Sequence, residues 1–199
     1  MMIKKCIIAT FFLIAACFLL NGCHWFGSPF KHGKKTKQLK AEELYKQGVS
    51  LATAKSYDKA IEAFNKALKI DPEYENAYWG RGVSRAMQGR LEQAIADYDK
   101  ALELNTCHAW AYYNRGCAWR DKGNYDRAID DFTRHLEIRP RDPEAYNKRA
   151  YAWANKGDLH KALTDAKKAC SLKPDNEIYQ LSVKKFNAMI NKKTGRTKE

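Results

Sequence analysis

Apolar and polar residues are arranged along residues 41–176 with the periodicity of helices. Apolar side chains recur three or four positions apart, which places them on one face of a helix. Gly89, Gly123 and Gly157 interrupt these amphipathic stretches at regular intervals, as turns do. The pattern predicts pairs of amphipathic helices joined by tight turns.

The helix pairs repeat with a period of 34 residues, in blocks 41–74, 75–108, 109–142 and 143–176. The eighth place of each block is small, the twentieth is Ala, and the twenty-fourth is a ring in three blocks. In block order these residues are Gly48, Gly82, Gly116 and Ala150, then Ala60, Ala94, Ala128 and Ala162, then Phe64, Tyr98, Phe132 and Ala166. Small residues let two antiparallel helices approach closely, and the ring fills the space beside them.

The two ends of the array depart from the repeat. The first block has Ser56 at its turn in place of a Gly, and the fourth lacks the ring at its twenty-fourth place. In residues 177–192, one helix face carries Tyr179, Val183, Phe186 and Ile190. Because terminal repeats lack a neighbour on one side, this segment is predicted to be a capping helix, followed by a disordered basic tail at 193–199.

These residues resemble the tetratricopeptide repeat, whose period is 34 and whose pattern is Gly-x-x-Tyr, Ala-x-x-x-Phe and Pro. Pro72, Pro140 and Pro174 supply the last element. The resemblance implies an all-α fold, a right-handed superhelical solenoid of antiparallel helix pairs with about four repeats and a capping helix. It also implies that the chain binds other proteins and is not an enzyme.

Arg and Asp residues occur together in three of the four blocks. Arg81, Arg115 and Arg149 stand at the seventh place, and Asp97, Asp131 and Asp165 at the twenty-third. The first block lacks both, since it has Gln47 and Ala63. Because a partly buried Arg needs a carboxylate, we predict structural ion pairs, either within a repeat or between neighbours.

In the family, the first helix of each repeat lines a concave groove, and ligand contacts come from its second, fifth, ninth, twelfth and thirteenth places. Transferred to matching places, this predicts a partner-binding groove lined by rings with few charges; its residues are Tyr45, Trp79, Met87, Trp110, Tyr113, Asn114, Arg120, Asn147, Lys148 and Tyr151. Rings are typical anchors for protein partners. The alternative for each ring is packing between helices.

One groove type in the family is a carboxylate clamp for acidic peptide C-termini. The corresponding places hold Trp79, Val83, Asn114, Glu144 and Lys148. Only Asn114 and Lys148 match the polar and basic residues of a clamp. The resemblance therefore implies a different ligand, an extended or helical partner segment with apolar side chains.

The N-terminus has the features of an export signal. Two Lys are followed by an apolar run of 15 residues, Cys6 to Leu20. A secretory signal has an apolar region of about 7–15 residues, whereas a membrane-spanning helix needs about 20. Residues 1–22 are thus predicted to be a signal peptide, with a short spanning helix as the alternative.

The run ends in Leu20-Asn21-Gly22-Cys23, which resembles a bacterial lipoprotein signal. By that resemblance Cys23 is the first mature residue and carries the lipid, and residues 23–40 form a flexible basic linker. Cys17, in Ile14-Ala15-Ala16-Cys17, is the competing site. His24 favours sorting to the outer membrane of a Gram-negative cell, facing the periplasm, again by resemblance.

Positive charge is concentrated at the ends of this basic chain, whose formal net charge is +13. Residues 31–40 hold five Lys and no acid, and residues 184–199 hold six basic residues and one acid. The body is nearly neutral, which argues against a nucleic-acid partner, because such a partner needs a basic folded face.

Catalytic motifs are missing from the sequence. It contains no phosphate-binding loop, no nucleophile elbow and no His-Glu zinc motif. We therefore expect no cofactor beyond the covalent lipid, no metal and no enzymatic activity. Cys107, Cys117 and Cys170 are interpreted as small residues of the scaffold, and their redox state stays open.

Together these features predict a membrane-anchored scaffold or adaptor that holds another envelope protein for assembly or recruitment. The alternative is a cell-wall or saccharide-binding module that uses the aromatic groove and the basic ends. The sequence leaves the identity of the partner, the pathway and the oligomeric state open.

Overall fold

Nine helices follow one another along the part of the chain that the structure describes. The computed structural model describes the backbone of residues 32–195 and the side chains of residues 36–195. The helices are α1 (His32–Thr53), α2 (Tyr57–Ile70), α3 (Glu75–Met87), α4 (Leu91–Leu104), α5 (Ala109–Asp121), α6 (Tyr125–Ile138), α7 (Pro143–Lys156), α8 (Leu159–Leu172) and α9 (Glu177–Lys193). Each 34-residue block therefore contains one helix pair.

The pairs stack side by side, and the first helices lie on the inner side of the stack. First helices of neighbouring repeats contact one another, α3 with α5, α5 with α7, and α7 with α9. Second helices in the described residues make no such contact with one another. The first helices therefore converge and line the concave side. This architecture confirms the all-α superhelical solenoid.

Short polar side chains and glycines set the helix boundaries. Asp142 caps α7, because its Oδ1 accepts hydrogen bonds from the backbone N–H of Glu144 at 3.0 Å and of Ala145 at 3.2 Å. Asn124 caps α6 in the same way. Gly123 ends the first helix of the third repeat at φ +79, a conformation that glycine adopts without steric cost.

The left-handed turn position of the first repeat is Lys55, not Ser56. Lys55 has φ 58, and it stands one period before Gly89. The prediction that Ser56 replaces the turn glycine is thus wrong by one residue. Ser56 instead precedes α2, where its carbonyl accepts the Ala60 N–H at 2.9 Å. A side chain in the left-handed region costs about 1–2 kcal/mol.

The core of each repeat consists of alanines around one ring. Ala60, Ala94, Ala128 and Ala162 are all fully buried. Phe64 lies between the first two repeats, because Cβ atoms built on Gly48 and Gly80 would approach it to 2.6 Å and 2.7 Å. The absence of a side chain at both glycines therefore lets the ring enter.

The fourth repeat obtains its ring from the capping helix. Ala166 stands where the other repeats have Phe or Tyr, and fully buried Phe186 of α9 joins Ala162 and Ala166 in one cluster. Val183 packs on the same cluster. The face of α9 predicted to cover the fourth repeat is the face that packs there, and α9 extends one residue beyond the predicted boundary.

Each Arg at the seventh place pairs with the Asp of its own repeat and also reaches the preceding repeat. Arg115 donates from Nε and Nη2 to Asp131 at 2.9 and 2.6 Å, and from Nη1 to Asp99 at 2.6 Å. Arg81 likewise bridges Asp97 and Asn65, and Arg149 bridges Asp165 and Thr133. The predicted Arg–Asp pairing therefore lies within each repeat, and the contact with the preceding repeat goes to the residue at its twenty-fifth place, which the sequence analysis did not predict.

A second set of contacts joins neighbouring repeats at the turns. Gln88 Nε2 donates to Asp58 Oδ1 at 2.9 Å, 30 residues earlier. The same spacing separates Lys122 from its partner Glu92, and Lys156 of the fourth repeat from its partner Asp126 of the third. These contacts link each turn to the repeat before it.

The proposed signal peptide, the lipidation site at Cys23 and the alternative at Cys17 lie outside the described residues, as do residues 23–31 of the expected linker and 196–199 of the expected tail. Residues 32–40 of that linker are helical, since α1 begins at His32. Lys, Gln and Leu in this stretch are good helix formers. In residues 32–195 no helix combines the length and apolar character needed to cross a bilayer.

Candidate partner-binding groove

The fifth place of the first helices was expected to present a ladder of rings to a partner. Tyr45 is half-buried and packs against Phe64 and Tyr74, with ring centroids 5.8 and 5.4 Å apart. Trp79 is also half-buried and packs on His108 at 5.6 Å. Both rings therefore stabilise the repeat junctions and leave only part of their surface to the groove.

Tyr113 does not line the groove as expected. It is 9% exposed and packs edge-on against Phe132 and Trp110. Its hydroxyl donates to Glu144 Oε1 at 2.7 Å, and burial, with Cys117 and Glu144 nearby, raises the pKa of Tyr113. The ring fits there because the alanines around it leave room, so Tyr113 is a scaffold residue that joins α5 to α7.

Asn147 is the second expected groove residue that proves to be buried. It is 7% exposed, and its Oδ1 atom has no hydrogen-bond partner in the described residues. The Nε1 atom of Trp79 is buried and unpaired as well. A buried polar group without a partner costs about 1–3 kcal/mol. Packing alone therefore does not explain why Asn147 and Trp79, both at the fifth place, bury these polar atoms.

Two other predicted groove residues are exposed on the first helices. Met87, at the end of α3, is 62% exposed, and Trp110, in the first turn of α5, is 41% exposed. Trp110 is held from below by Tyr113 and by His135, whose ring centroid lies 5.4 Å from its own. These two side chains offer a partner a mobile thioether and a supported indole.

The support beneath Trp110 is a buried histidine. His135 is fully buried, with Nδ1 3.0 Å from the Ala109 carbonyl and Nε2 2.8 Å from Asp142 Oδ2. These contacts join the backbone at the start of α5 to the Asp142 carboxylate. His135 therefore ties Trp110 to the N-terminal cap of α7.

The charged residues predicted for the groove are paired within their own helices. Arg120 donates to Asp121 at 2.7 Å, and Lys148 lies 3.7 Å from Glu144. The side chains of Arg120 and Lys148 are 25% and 33% exposed. The groove over α5 and α7 therefore has little net charge, which suits an apolar ligand better than an acidic peptide terminus.

Asn114 and Tyr151 are half-buried at the same inner side. The ring of Tyr151 packs on Phe186 at 5.3 Å, and Ser182 lies 3.4 Å from the Tyr151 hydroxyl. Tyr151 therefore belongs partly to the junction with α9 and partly to the groove, like Tyr45 and Trp79.

Four exposed apolar residues on the first-helix face were missed by the sequence analysis. Val49 of α1 is 40% exposed, and Ile178, Leu181 and Met189 of α9 are 62%, 60% and 40% exposed. The sequence did contain a signal for the three residues of α9. If the 34-residue period is continued past residue 176, they stand at the second, fifth and thirteenth places. They were missed because α9 was interpreted only as a cap.

The free cysteine beside the groove is part of the helix packing. Cys117 and Cys170 are free, and burial raises the pKa of the Cys117 thiol to about 11, so it is protonated at neutral pH. No group of three His, Cys, Asp or Glu side chains in residues 32–195 is placed to hold a metal ion. Cys117 is thus an inert packing residue.

An all-helical stack of antiparallel pairs is the architecture of the helical repeat proteins. Profiles of the tetratricopeptide repeat match residues 109–142 and 143–176, and a further TPR-repeat profile matches residues 52–89 and 84–119. Together they cover more than half of the chain. The chain belongs to the tetratricopeptide-repeat proteins, whose folds bind protein partners and are typically non-enzymatic.

Solved structures of MamA proteins share this fold. A MamA crystal structure is 29% identical to this chain, with a TM-score of 0.64, covering 67% of this chain and 78% of the other. The structure of MamA 41-end from Desulfovibrio magneticus RS-1 is 20% identical, with a TM-score of 0.72, covering 76% and 86%. The second likeness concerns the fold alone.

A curated relative matches a shorter segment. The uncharacterized protein MJ0572 of Methanocaldococcus jannaschii is 40% identical over 42 residues, which are 21% of this chain and 49% of that protein. The chain therefore spans about half the length of this relative. The match supports the repeat and nothing further.

Proposed function

We propose that this protein is a lipid-anchored scaffold of the bacterial envelope that holds another protein on the inner face of its first helices. In this proposal Cys23 carries the lipid, and the repeat domain faces the periplasm from the outer membrane. The lipoprotein-like Leu20-Asn21-Gly22-Cys23 sequence supports the anchor.

The binding proposal rests on the positions of the large exposed apolar side chains. Most of those in the described residues stand at groove places of the first helices: Val49, Met87, Trp110, Ile178, Leu181 and Met189. Exposed apolar groups gathered on one face mark an interaction site. The other two are Leu39, which precedes the first repeat on α1 and is 56% exposed, and Ile138, which lies on a second helix and is 39% exposed.

The chemistry of the face suits an apolar segment of the partner. The groove charges on α5 and α7 are paired, so a ligand gains little there from its own charge. Trp110 and Met87 instead provide area that a partner can bury at about 25 cal/mol per Å². An extended or helical segment with apolar side chains at regular intervals is the expected ligand.

A saccharide ligand receives less support from the same face. Sugars stack on broad ring faces, but Tyr113 is buried, and Tyr45 and Trp79 pack against their neighbours. Salt separates the two functions. Binding by apolar anchors should persist at high ionic strength, whereas attraction of an acidic polymer to the basic ends should weaken.

The test of the binding proposal is capture in native cells with a matched control. Tagged protein is crosslinked and purified as wild type, as Trp110→Ala/Met87→Ala and as Ile138→Ala. The groove variant should lose one envelope protein selectively, while the Ile138 variant keeps it. Equal recovery from all three would overturn the groove as the binding site.

The anchor is tested separately by mass spectrometry of the mature N-terminus and by Cys23→Ser. The lipid proposal predicts a modified Cys23 in wild type and a protein released from membranes in the variant. An unmodified N-terminus and a variant that stays in the membrane would point to a spanning helix, and a modified Cys17 to the alternative site.

A further inference from the structure

The capping helix α9 has two adjacent apolar faces, although a cap needs only one. One face packs on the fourth repeat through Tyr179, which is 8% exposed, and through fully buried Phe186. The other face presents Ile178, Leu181 and Met189 to solvent, and we call it the outer face of α9 because it does not pack on the fourth repeat. Packing within the chain therefore accounts for one face and leaves the other unexplained.

The outer face continues the row of groove places. Ile178, Leu181 and Met189 occupy the second, fifth and thirteenth places of a block that starts at Glu177, and Trp110 and Met87 occupy the second and thirteenth places of theirs. The helix α9 contacts α7 as α7 contacts α5. The outer face of α9 is thus the C-terminal end of the same groove.

The charges around this face differ from those on α5 and α7. Lys184, Lys185, Lys192 and Lys193 are exposed and form no ion pair within the described residues. Lys185 lies with its Nζ 4.9 Å above the ring of Tyr151, at the boundary with the groove. The acid of α9 is Glu177 in its first turn. Unpaired positive charge therefore surrounds the exposed apolar residues.

We propose that the outer face of α9 binds an acidic amphipathic segment of the partner protein. Apolar side chains of that segment pack on Ile178, Leu181 and Met189, and its carboxylates pair with Lys185 and Lys192. The proposal rests on the groove function above and adds the chemistry of the ligand at one end. Complementary charge would also fix the direction in which the segment lies in the groove.

Two other occupants fit the observations less well. A second copy that docked α9 against α9 would bring the same unpaired lysines together, and like charges across an interface are strongly unfavourable. A bilayer attracts lysines and apolar residues on a helix. A bilayer is flat, however, whereas the outer face of α9 lies on the concave side of the stack. A protein segment that enters the groove meets neither difficulty.

The experiment places a photoreactive amino acid at Leu181 of the full-length protein in native cells. Adducts are purified, and the crosslinked segment is sequenced by mass spectrometry. The expected adduct is a protein segment rich in Asp and Glu with apolar residues at helical spacing. A lipid adduct, a crosslink to a second copy of this chain, or a segment without acidic residues would overturn the proposal.

Charge reversal supplies the second measurement. Lys185→Glu/Lys192→Glu should lower the yield of the Leu181 adduct by about tenfold, because it places like charges opposite the ligand. Lys167→Glu/Lys168→Glu, on exposed residues of α8, makes the same change in net charge and should leave the yield unaltered. Equal yields in both variants would contradict the charge pairing.

A parallel photoreactive residue at Trp110 separates this inference from the groove function. A protein adduct at 110 with none at 181 would retain the groove and remove α9 from it. No protein adduct at either position would contradict the groove function as well. Circular dichroism of each variant shows whether the fold is kept.

Discussion

The packed junctions between repeats and the inner face of the first helices differ in how they use the repeating sequence. At the junctions the same residues recur, and Arg81, Arg115 and Arg149 make the same bridge three times. On the inner face the residue changes with each repeat, and the second place holds, in order, Glu42, Asn76, Trp110, Glu144 and Ile178. The comparison teaches that repetition in this chain marks scaffold and that variation marks the surface available to a partner.

The ring at the fifth place shows how these two roles meet. Tyr45, Trp79 and Tyr113 share one place, and each packs on its own repeat junction. The rings are therefore scaffold, with Tyr113 buried and only Tyr45 and Trp79 partly exposed. The side chains one turn away, such as Trp110, carry the exposed surface.

The largest expected effect comes from breaking a recurring bridge. Asp97 accepts hydrogen bonds from Arg81 at 2.6 Å and from Arg85 at 2.7 Å, and its side chain is 4% exposed. Asp97→Ala leaves both guanidinium groups without a carboxylate, which should lower the free energy of unfolding by about 3 kcal/mol. Chemical denaturation of the purified protein measures this loss.

The matched control is Asp99→Ala, because Asp99 accepts one bond from Arg115 and is 48% exposed. Its loss should stay below about 1 kcal/mol, as for other exposed ion pairs. Equal losses in the two variants would mean that the recurring bridge is no more important than a surface contact.

The next largest effect is a pH dependence of stability that arises at the N-terminal cap of α5, a position where the capping residue differs between repeats. His108 caps α5, with Nδ1 accepting the Ala111 N–H at 3.1 Å, and its Nε2 lies 3.2 Å from Asn76 Oδ1. Burial lowers the pKa of His108 below its ordinary value of 6.5. The unfolded chain therefore binds the proton more readily, and stability should fall as the pH drops below about 6.5.

His108→Asn keeps a capping side chain, since Asn176 caps α9 in the same way. The melting temperature of this variant should fall less between pH 7 and pH 5 than that of wild type. His160→Asn, at an exposed histidine, serves as the control and should reproduce the wild-type pH dependence. Identical slopes for His108→Asn and wild type would exclude the cap as the titrating group.

The smallest effect lies at the atypical turn of the first repeat. Lys55 has φ 58, where the next three repeats have glycine. Lys55→Gly removes the strain but increases the freedom of the unfolded chain, so the gain should be about 0.5–1 kcal/mol. A thermal melt of the variant should shift upward, and Gly123→Ala should shift it downward. A destabilised Lys55→Gly protein would contradict this account of the turn.

The sequence predicted the scaffold well because packing and spacing there are local and recur. The small residues, the rings and the Arg–Asp pairs all stand at fixed places of a 34-residue period. Burial of Tyr113 and Asn147 was not predictable, since it depends on how closely neighbouring first helices approach. The outer face of α9 was predictable from the period but was hidden by the more obvious apolar stripe of Tyr179 and Phe186.

The most direct test of the central claim is a photocrosslinking scan of the folded protein in its native cells. A photoreactive residue is placed in turn at Met87 and Trp110 on the inner face, and at Ile138 and Lys168 on second helices. The account predicts adducts with one partner protein from the two inner positions and none from the other two. Adducts of equal yield from the second helices, or from them alone, would contradict the assignment of the first-helix face as the binding site.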